Sequence, residues 1–201
     1  MKEGNTFMAK AEIAAFFDVL APGWDAHARV DGAKIERILD WAGVEKGMRV
    51  LDAACGTGIL VPFLLERNVA AVVGVDIAPA MIACAREKCR DRRVRFMEAD
   101  AETAVFAEGF DAALVFNAFP HFLEPAALLG ALAAALRPGG RLAVAHDRGR
   151  AQVNAHHAGM REGLRCDLLE AEALAGLFAP YFDVDVCVSQ ADIYAVAGRK
   201  R

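Results

Sequence analysis

Apolar residues recur along this chain in two rhythms. In "AEIAAFFDVLAPGWDAHARV", Ile13, Phe16, Phe17 and Leu20 share one face at helical period, and Pro22-Gly23 interrupts that helix. Asp31 can cap a second helix whose stripe is Ile35, Ile38, Leu39 and Ala42, and Gly43 can close it. From there short apolar runs alternate with helical ones. "MRVLDA" predicts a strand, followed by a helix over 59–67. "AAVVGVD" predicts a strand, with Pro79 at the first turn of a helix that runs to about Arg90. "RVRFMEAD" predicts a third strand and is followed by an irregular stretch to Gly109. "DAALVFN" predicts a fourth, and Glu124-Pro125 opens a helix that stops before "RPGG". "RLAVAHD" predicts a fifth strand, and "AEALAGLFAP" a helix closed by Pro180.

Strands that are apolar on both faces and alternate with helices imply a parallel sheet covered on both sides. The end of the chain differs. "FDVDVCVS" and "DIYAVAGR" stand too close together for a crossover and must form an antiparallel hairpin. The expected fold is α/β, a Rossmann-like doubly wound sheet of seven mostly parallel strands ending in that hairpin.

The chain has 201 residues, is 56% hydrophobic and 25% charged, and carries a net charge of -4. Those values suit one globular domain over 1–201. The longest uninterrupted run of Lys and Arg is Arg199-Lys200-Arg201, which with the net negative charge argues weakly against nucleic acid as a partner. No apolar run is long enough to cross a bilayer, and "MKEGNTFMAK" lacks a signal-peptide core, so no membrane role is expected. Five cysteines, without CxxC spacing, suit reduced thiols in a cytoplasmic protein, as a monomer or homodimer.

The segment "VLDAACGTGIL" at 50–60 changes the picture most. A buried strand ends on Asp52 and hands over to a loop with almost no side chains, where Gly56 and Gly58 let main chain approach a ligand closely. Asp76 ends the second strand and Asp100 the third. In an open parallel sheet the carboxyl ends of the strands face the ligand crevice, so three acids would converge there. An acid at Asp76 can accept both hydroxyls of a ribose.

In this arrangement the chain resembles the class I S-adenosylmethionine-dependent methyltransferases of the small-molecule type. Asp52-Ala53-Ala54-Cys55-Gly56-Thr57-Gly58 is similar to their first motif, with Ala54 in the first glycine position. "VVGVDIAPAMIACARE" resembles the second, which implies Asp76 on the cofactor ribose, Ile77 against the adenine and Met81 among the cofactor-binding residues. "FMEADAE" resembles the third, with Asp100 near the adenine amino group and Ala101 beside it. "FDAALVFNAFPHF" resembles the fourth, with Asn117 presenting backbone to the cofactor, and "LRPGGRLAVAHD" the turn before strand five. The resemblance implies a helical lid over 1–30 and a role for Asp52 in orienting the turn and the cofactor's amino group. A nicotinamide oxidoreductase is the rival reading, but its third glycine would fall at Val61. A non-catalytic cofactor-binding or assembly subunit of the same fold is the other alternative.

Methyl transfer from a sulfonium is an in-line displacement, so alignment and desolvation can supply the catalysis without a nucleophile, and no metal is assigned. The acceptor is expected to be a small molecule, facing Trp24, Phe119, His121 and the helical insertion over 147–165. Phe16, Phe17 and Trp24 read mainly as lid packing that borders the cofactor. His121 either caps the helix near Glu124 or acts as a base. In "AHDRGRAQVNAHHAGM", Arg150, Asn154 and His157 share a face, and Arg150 or Arg161 could pair with a carboxylate. His146 and His157 could hold a metal, supply a general base, or belong to a polar network that fixes the lid. Adjacent His156 and His157 project about 100° apart, which weakens the metal reading. The acids of "MEADAE" beyond the motif read as a solvated edge.

Overall fold

The structure is a computed structural model in which residues 2–27, 30–106, 109–158 and 167–201 are described. Residues 28–29 of the expected lid, 159–165 of the expected insertion (with Arg161) and Cys166 lie outside them. Helices α1 (Lys2–Leu20) and α2 (Trp24–His27) are separated by a 3-10 turn at Ala21–Gly23, where Pro22 stands. Helix α3 (Gly32–Trp41) starts as its sequence dictates: the Asp31 carboxylate accepts from the Lys34 amide at 3.2 Å. Its stripe of Ile35, Ile38, Leu39 and Ala42 is wholly buried, and Gly43 closes it at φ +64°.

Seven strands follow: β1 (Arg49–Ala53), β2 (Ala71–Asp76), β3 (Val94–Glu98), β4 (Phe110–Phe116), β5 (Leu136–His146), β6 (Phe182–Ser189) and β7 (Tyr194–Lys200). Their order in the sheet is β3-β2-β1-β4-β5-β7-β6. All pairings are parallel except those of β7, which runs antiparallel to both β5 and β6. The order reverses between β1 and β4, and a crevice opens at such a point, beyond the strand ends. Helices α4 (Val61–Glu66), α5 (Pro79–Lys88), α6 (Pro125–Ala135), α7 (Arg150–His157) and α8 (Ala171–Phe178) complete the elements.

One face of the sheet, with Leu51, Val115 and Val144, packs under Leu128, Leu132, Leu174 and Phe178 of α6 and α8. The other, with Val50, Val72 and Leu114, packs under the α3 stripe and Leu64 of α4. Fully burying one such side chain contributes about 1.5–3 kcal/mol, so these two layers hold the crevice rigid.

Two boundaries differ from expectation. Helix α4 begins at Val61 rather than Ile59, because Ala54, Gly56 and Gly58 all take positive φ and a right-handed helix cannot start among them. Strand β5 begins at Leu136 and includes the "LRPGG" expected as a turn. Leu136 pairs with Phe110 and Arg141 with Ala112, so the segment between bulges out of register.

Gly149, the residue before α7, is packed against the β6–β7 connection. A Cβ there would collide with the Ala191 and Gln190 carbonyls, whereas one on Gly176 of α8 would meet nothing within 4 Å. Gly149→Ala should therefore lower stability by about 1–3 kcal/mol. Gly176→Ala should raise it by about 0.5–1 kcal/mol. Urea unfolding of the two variants checks the opposite signs.

Candidate functional site

The turn that follows β1 is held by main chain. The Cys55 amide donates to the Val75 carbonyl and the Gly58 amide to the Cys55 carbonyl, each at 2.9 Å. Ala54 sits at φ +59°, a conformation that costs an alanine about 1–2 kcal/mol and a glycine little. A Cβ on Gly56 would point into open space, so the backbone of this turn is bare toward the crevice. The Asp76 carboxylate, at the end of β2, accepts from the Gly56 amide at 2.8 Å and the Ala78 amide at 2.9 Å. It thus ties the turn to the start of α5. Burial pushes its pKa up, opposed by the amides of Ala78, Gly56 and Ile77.

These elements open onto a cavity of about 820 Å³. Its wall includes Ala54, Cys55, Gly56, Asp76, Ile77, Met81, Asp100, Ala101, Asn117, His121, His146 and His157 of the expected set, together with Trp24. Asp52, Ala53, Gly58 and Phe119 stand behind it. Ala53 and Phe119 are core residues, so Phe119 does not face an acceptor. Asp52 is buried and one of its oxygens has no partner. Burial, with the Asp76 charge adding to it, lifts its pKa to about 7. Burial and the same two acids hold the Cys55 thiol protonated, so it is no nucleophile.

The N-terminal segment is fastened across the cavity at three points. Lys10 of α1 donates to Asp100 at 2.6 Å and pairs with Glu102. Asp18 accepts from the Ala80 amide at 2.8 Å, filling an open donor in the first turn of α5. Asp25 accepts from the Thr57 hydroxyl at 2.6 Å and from Lys88 at 2.7 Å. Glu102 is buried and accepts from the Glu124 amide ahead of α6 at 2.7 Å, so this acid of "MEADAE" is no solvated edge. Lys10, Asp18, Asp25, Thr57 and Glu102 escape a sequence reading because their partners lie far along the chain.

At the other end of the cavity the Asn117 and Asp147 side chains and main chain bond reciprocally, at 3.0 and 3.1 Å. Asn117, at φ +54°, uses its own amide on Ala145 rather than on the cavity. His121 does not cap α6. Its ring sits 5.0 Å from that of Phe17 and 4.9 Å from that of His157. Arg150 and Asn154 do share a face, but it turns away from the cavity. Arg150 donates to the Leu168 carbonyl at 2.8 Å and pairs with Glu170, and Asn154 accepts from the Leu168 amide at 2.7 Å. They fasten the approach to α8 and are not on the cavity wall. Among the described residues, no group of three or more His, Cys, Asp or Glu side chains is placed to hold a metal ion.

Residues 50–140 match the methyltransferase domain family. The chain is 42% identical over 137 residues to a demethylmenaquinone methyltransferase of Thermus thermophilus, which covers 64% of this chain and 62% of that protein. Two solved structures share the fold. An S-adenosylmethionine-dependent methyltransferase from Mesorhizobium loti has a TM-score of 0.69 at 16% identity, covering 84% of this chain and 98% of that one. The N-methyltransferase NodS of Bradyrhizobium japonicum, in complex with S-adenosyl-L-homocysteine, scores 0.66 at 17% identity, covering 84% and 86%. Over residues 50–140 the chain is similar to the methyltransferase domain, and its fold is the one these solved structures share. The sheet that carries this likeness is mostly parallel with antiparallel C-terminal strands. Val61 fills the third-glycine position of the nicotinamide fingerprint with a buried side chain, against that rival reading. The chain spans about three fifths of the length of its Thermus relative.

An acid whose pKa is higher in the folded than in the unfolded chain binds its proton more tightly when folded. Its contribution is therefore complete at pH 4 and is lost as pH rises toward 7. Asp52→Asn should accordingly gain stability relative to the parent protein between pH 4 and 7, by up to a few kcal/mol. Parallel urea titrations at pH 4, 5.5 and 7 measure the difference, and a pH-independent gap would contradict it.

Proposed function

We propose that the protein transfers a methyl group from S-adenosylmethionine to a small-molecule acceptor. The observation that carries this reading is the meeting of bare main chain at Gly56 with the carboxylates of Asp76 and Asp100 on one cavity wall. The residues fit the cofactor. Asp76 uses one acceptor site per oxygen on main chain, so each oxygen keeps a second for a ribose hydroxyl. Asp100 and Ala101, on the cavity wall, would face the adenine amino group, and Ile77 and Met81 would supply apolar contact. Bound there, S-adenosylmethionine supplies an electrophilic methyl group on a positively charged sulfur.

The chain's own residues provide enclosure and alignment. Phe17 and Trp24 of the fastened N-terminal segment cover the cavity and exclude water, which strengthens every polar contact inside it. Burial holds His121 near pKa 4 and His146 near pKa 3, with neighbouring imidazoles adding to the shift, so both are neutral at physiological pH. The acceptor end is thus apolar and weakly basic. A named relative acts on demethylmenaquinone, which supports an organic small molecule as the acceptor class.

Release of S-adenosylhomocysteine on incubation with S-adenosylmethionine and a panel of small acceptors tests the reading. Titration calorimetry tests the site. Asp76→Ala should weaken S-adenosylhomocysteine binding about 10- to 100-fold, the effect of stranding buried polar partners. Unchanged affinity would remove Asp76 from the ribose.

A further inference from the structure

Part of the cavity wall is built from rings in mutual contact, edge-on or tilted. Trp24 packs on Phe17 at 5.8 Å between centroids with an interplanar angle of 72°. Phe17 packs on His121 at 5.0 Å and 80°. His121 meets His157 at 4.9 Å, and His157 meets His156 at 5.9 Å. All five line the cavity, so one ring surface runs from the N-terminal segment, past the turn after β4, to α7. Aromatic surfaces of this kind favour planar partners in stacked or edge-to-face contact.

His146, at the end of β5, lines the same cavity. It is 2% exposed, and its Nε2 has no hydrogen-bond partner. A buried polar atom without a partner is costly, and a ligand group that bonds to it recovers that loss. The neighbouring Tyr194 ring packs edge-on at 6.0 Å, which fixes the imidazole's setting.

We propose that this end of the cavity takes a neutral, planar acceptor carrying a hydroxyl group. The acceptor's ring lies against the aromatic wall and its hydroxyl donates to Nε2 of His146. The inference rests on the methyl-transfer reading, because it treats the acids' end as the cofactor's. Charge supports it. The imidazoles of His146 and His121 are neutral, as their burial dictates, so neither can pair with an anion. Lys10 is committed to Asp100 and Glu102, and Arg148 is exposed at the mouth. The Asp147 carboxylate already accepts from Asn117. With its proton on Nδ1, a neutral His146 offers Nε2 as an acceptor to a hydroxyl and gives a carboxylate no ion pair, and the rings select flatness.

Equilibrium dialysis of 1-naphthol, naphthalene and 1-naphthoate against the protein saturated with S-adenosylhomocysteine tests this directly. Naphthol should bind about tenfold more tightly than either other probe, the effect of one satisfied buried hydrogen bond. His146→Ala should erase the preference for naphthol over naphthalene. His146→Gln, whose amide oxygen can still accept, should keep part of it, and both variants should bind S-adenosylhomocysteine as the parent does. Equal retention of naphthol and naphthalene by the parent protein, or stronger retention of naphthoate, overturns the inference and leaves the methyl-transfer reading intact. Failure of S-adenosylhomocysteine to bind overturns both. Should the alanine variant not fold, the ratio of the probes on the parent protein and on the glutamine variant still decides.

Discussion

The carboxylate of Asp76 is the point on which the site depends. It is buried at the end of a central strand, where an ion is costly, and it is kept in place by the Gly56 and Ala78 amides. Those two bonds join the turn after β1 to the start of α5. They therefore set the spacing between bare main chain on one side and the apolar face of α5 on the other. The Asp52 carboxyl close by, whose pKa burial and the Asp76 charge raise, adds to the density of acid there. A cationic ligand with two adjacent hydroxyls would relieve both costs at once, since its charge offsets the acids and its hydroxyls satisfy the free acceptor sites.

Closure of the cavity follows from the same economy of charge. Asp100 and Glu102 stand two residues apart after β3, and neither could be buried beside the other without a cation. Lys10 supplies it from the first helix, with its own pKa raised by the two acids against the opposing effect of burial. The N-terminal segment is thus fastened by an electrostatic need that arises at the sheet, and by Asp18 and Asp25 filling donors on α5 and on the glycine turn. These polar fastenings, with the small apolar cluster of Ala21, Ala78 and Met81 beneath them, can open without unpacking the two main layers of the sheet.

The parts of this architecture that arise from local periodicity were legible in the chain. The stripe of α3, its Asp31 cap, Pro79 opening α5 and the antiparallel hairpin each depend on residues within a few positions of one another. The convergence of Asp76 and Asp100 followed from strand ends, which topology brings to one side. Periodicity does not say what a face will meet. Arg150 and Asn154 share a face as their spacing requires, yet the chain returning at Leu168 claims it. His121 lies beside Phe17 because the lid folds over it, and no local signal marks that approach. The Lys10–Glu102 pair is closed by the whole fold. The start of β5 was hidden for a similar reason: the pairing of Leu136 with Phe110 is decided across strands, beyond a bulge.

A crystal structure of the protein with S-adenosylhomocysteine tests the central claim most directly. The account predicts density for the ribose against Asp76, with both hydroxyls donating to its carboxylate while the Gly56 and Ala78 amides keep their bonds to it. Density for the nucleoside elsewhere, or an Asp76 side chain turned away from the glycine turn, would contradict it.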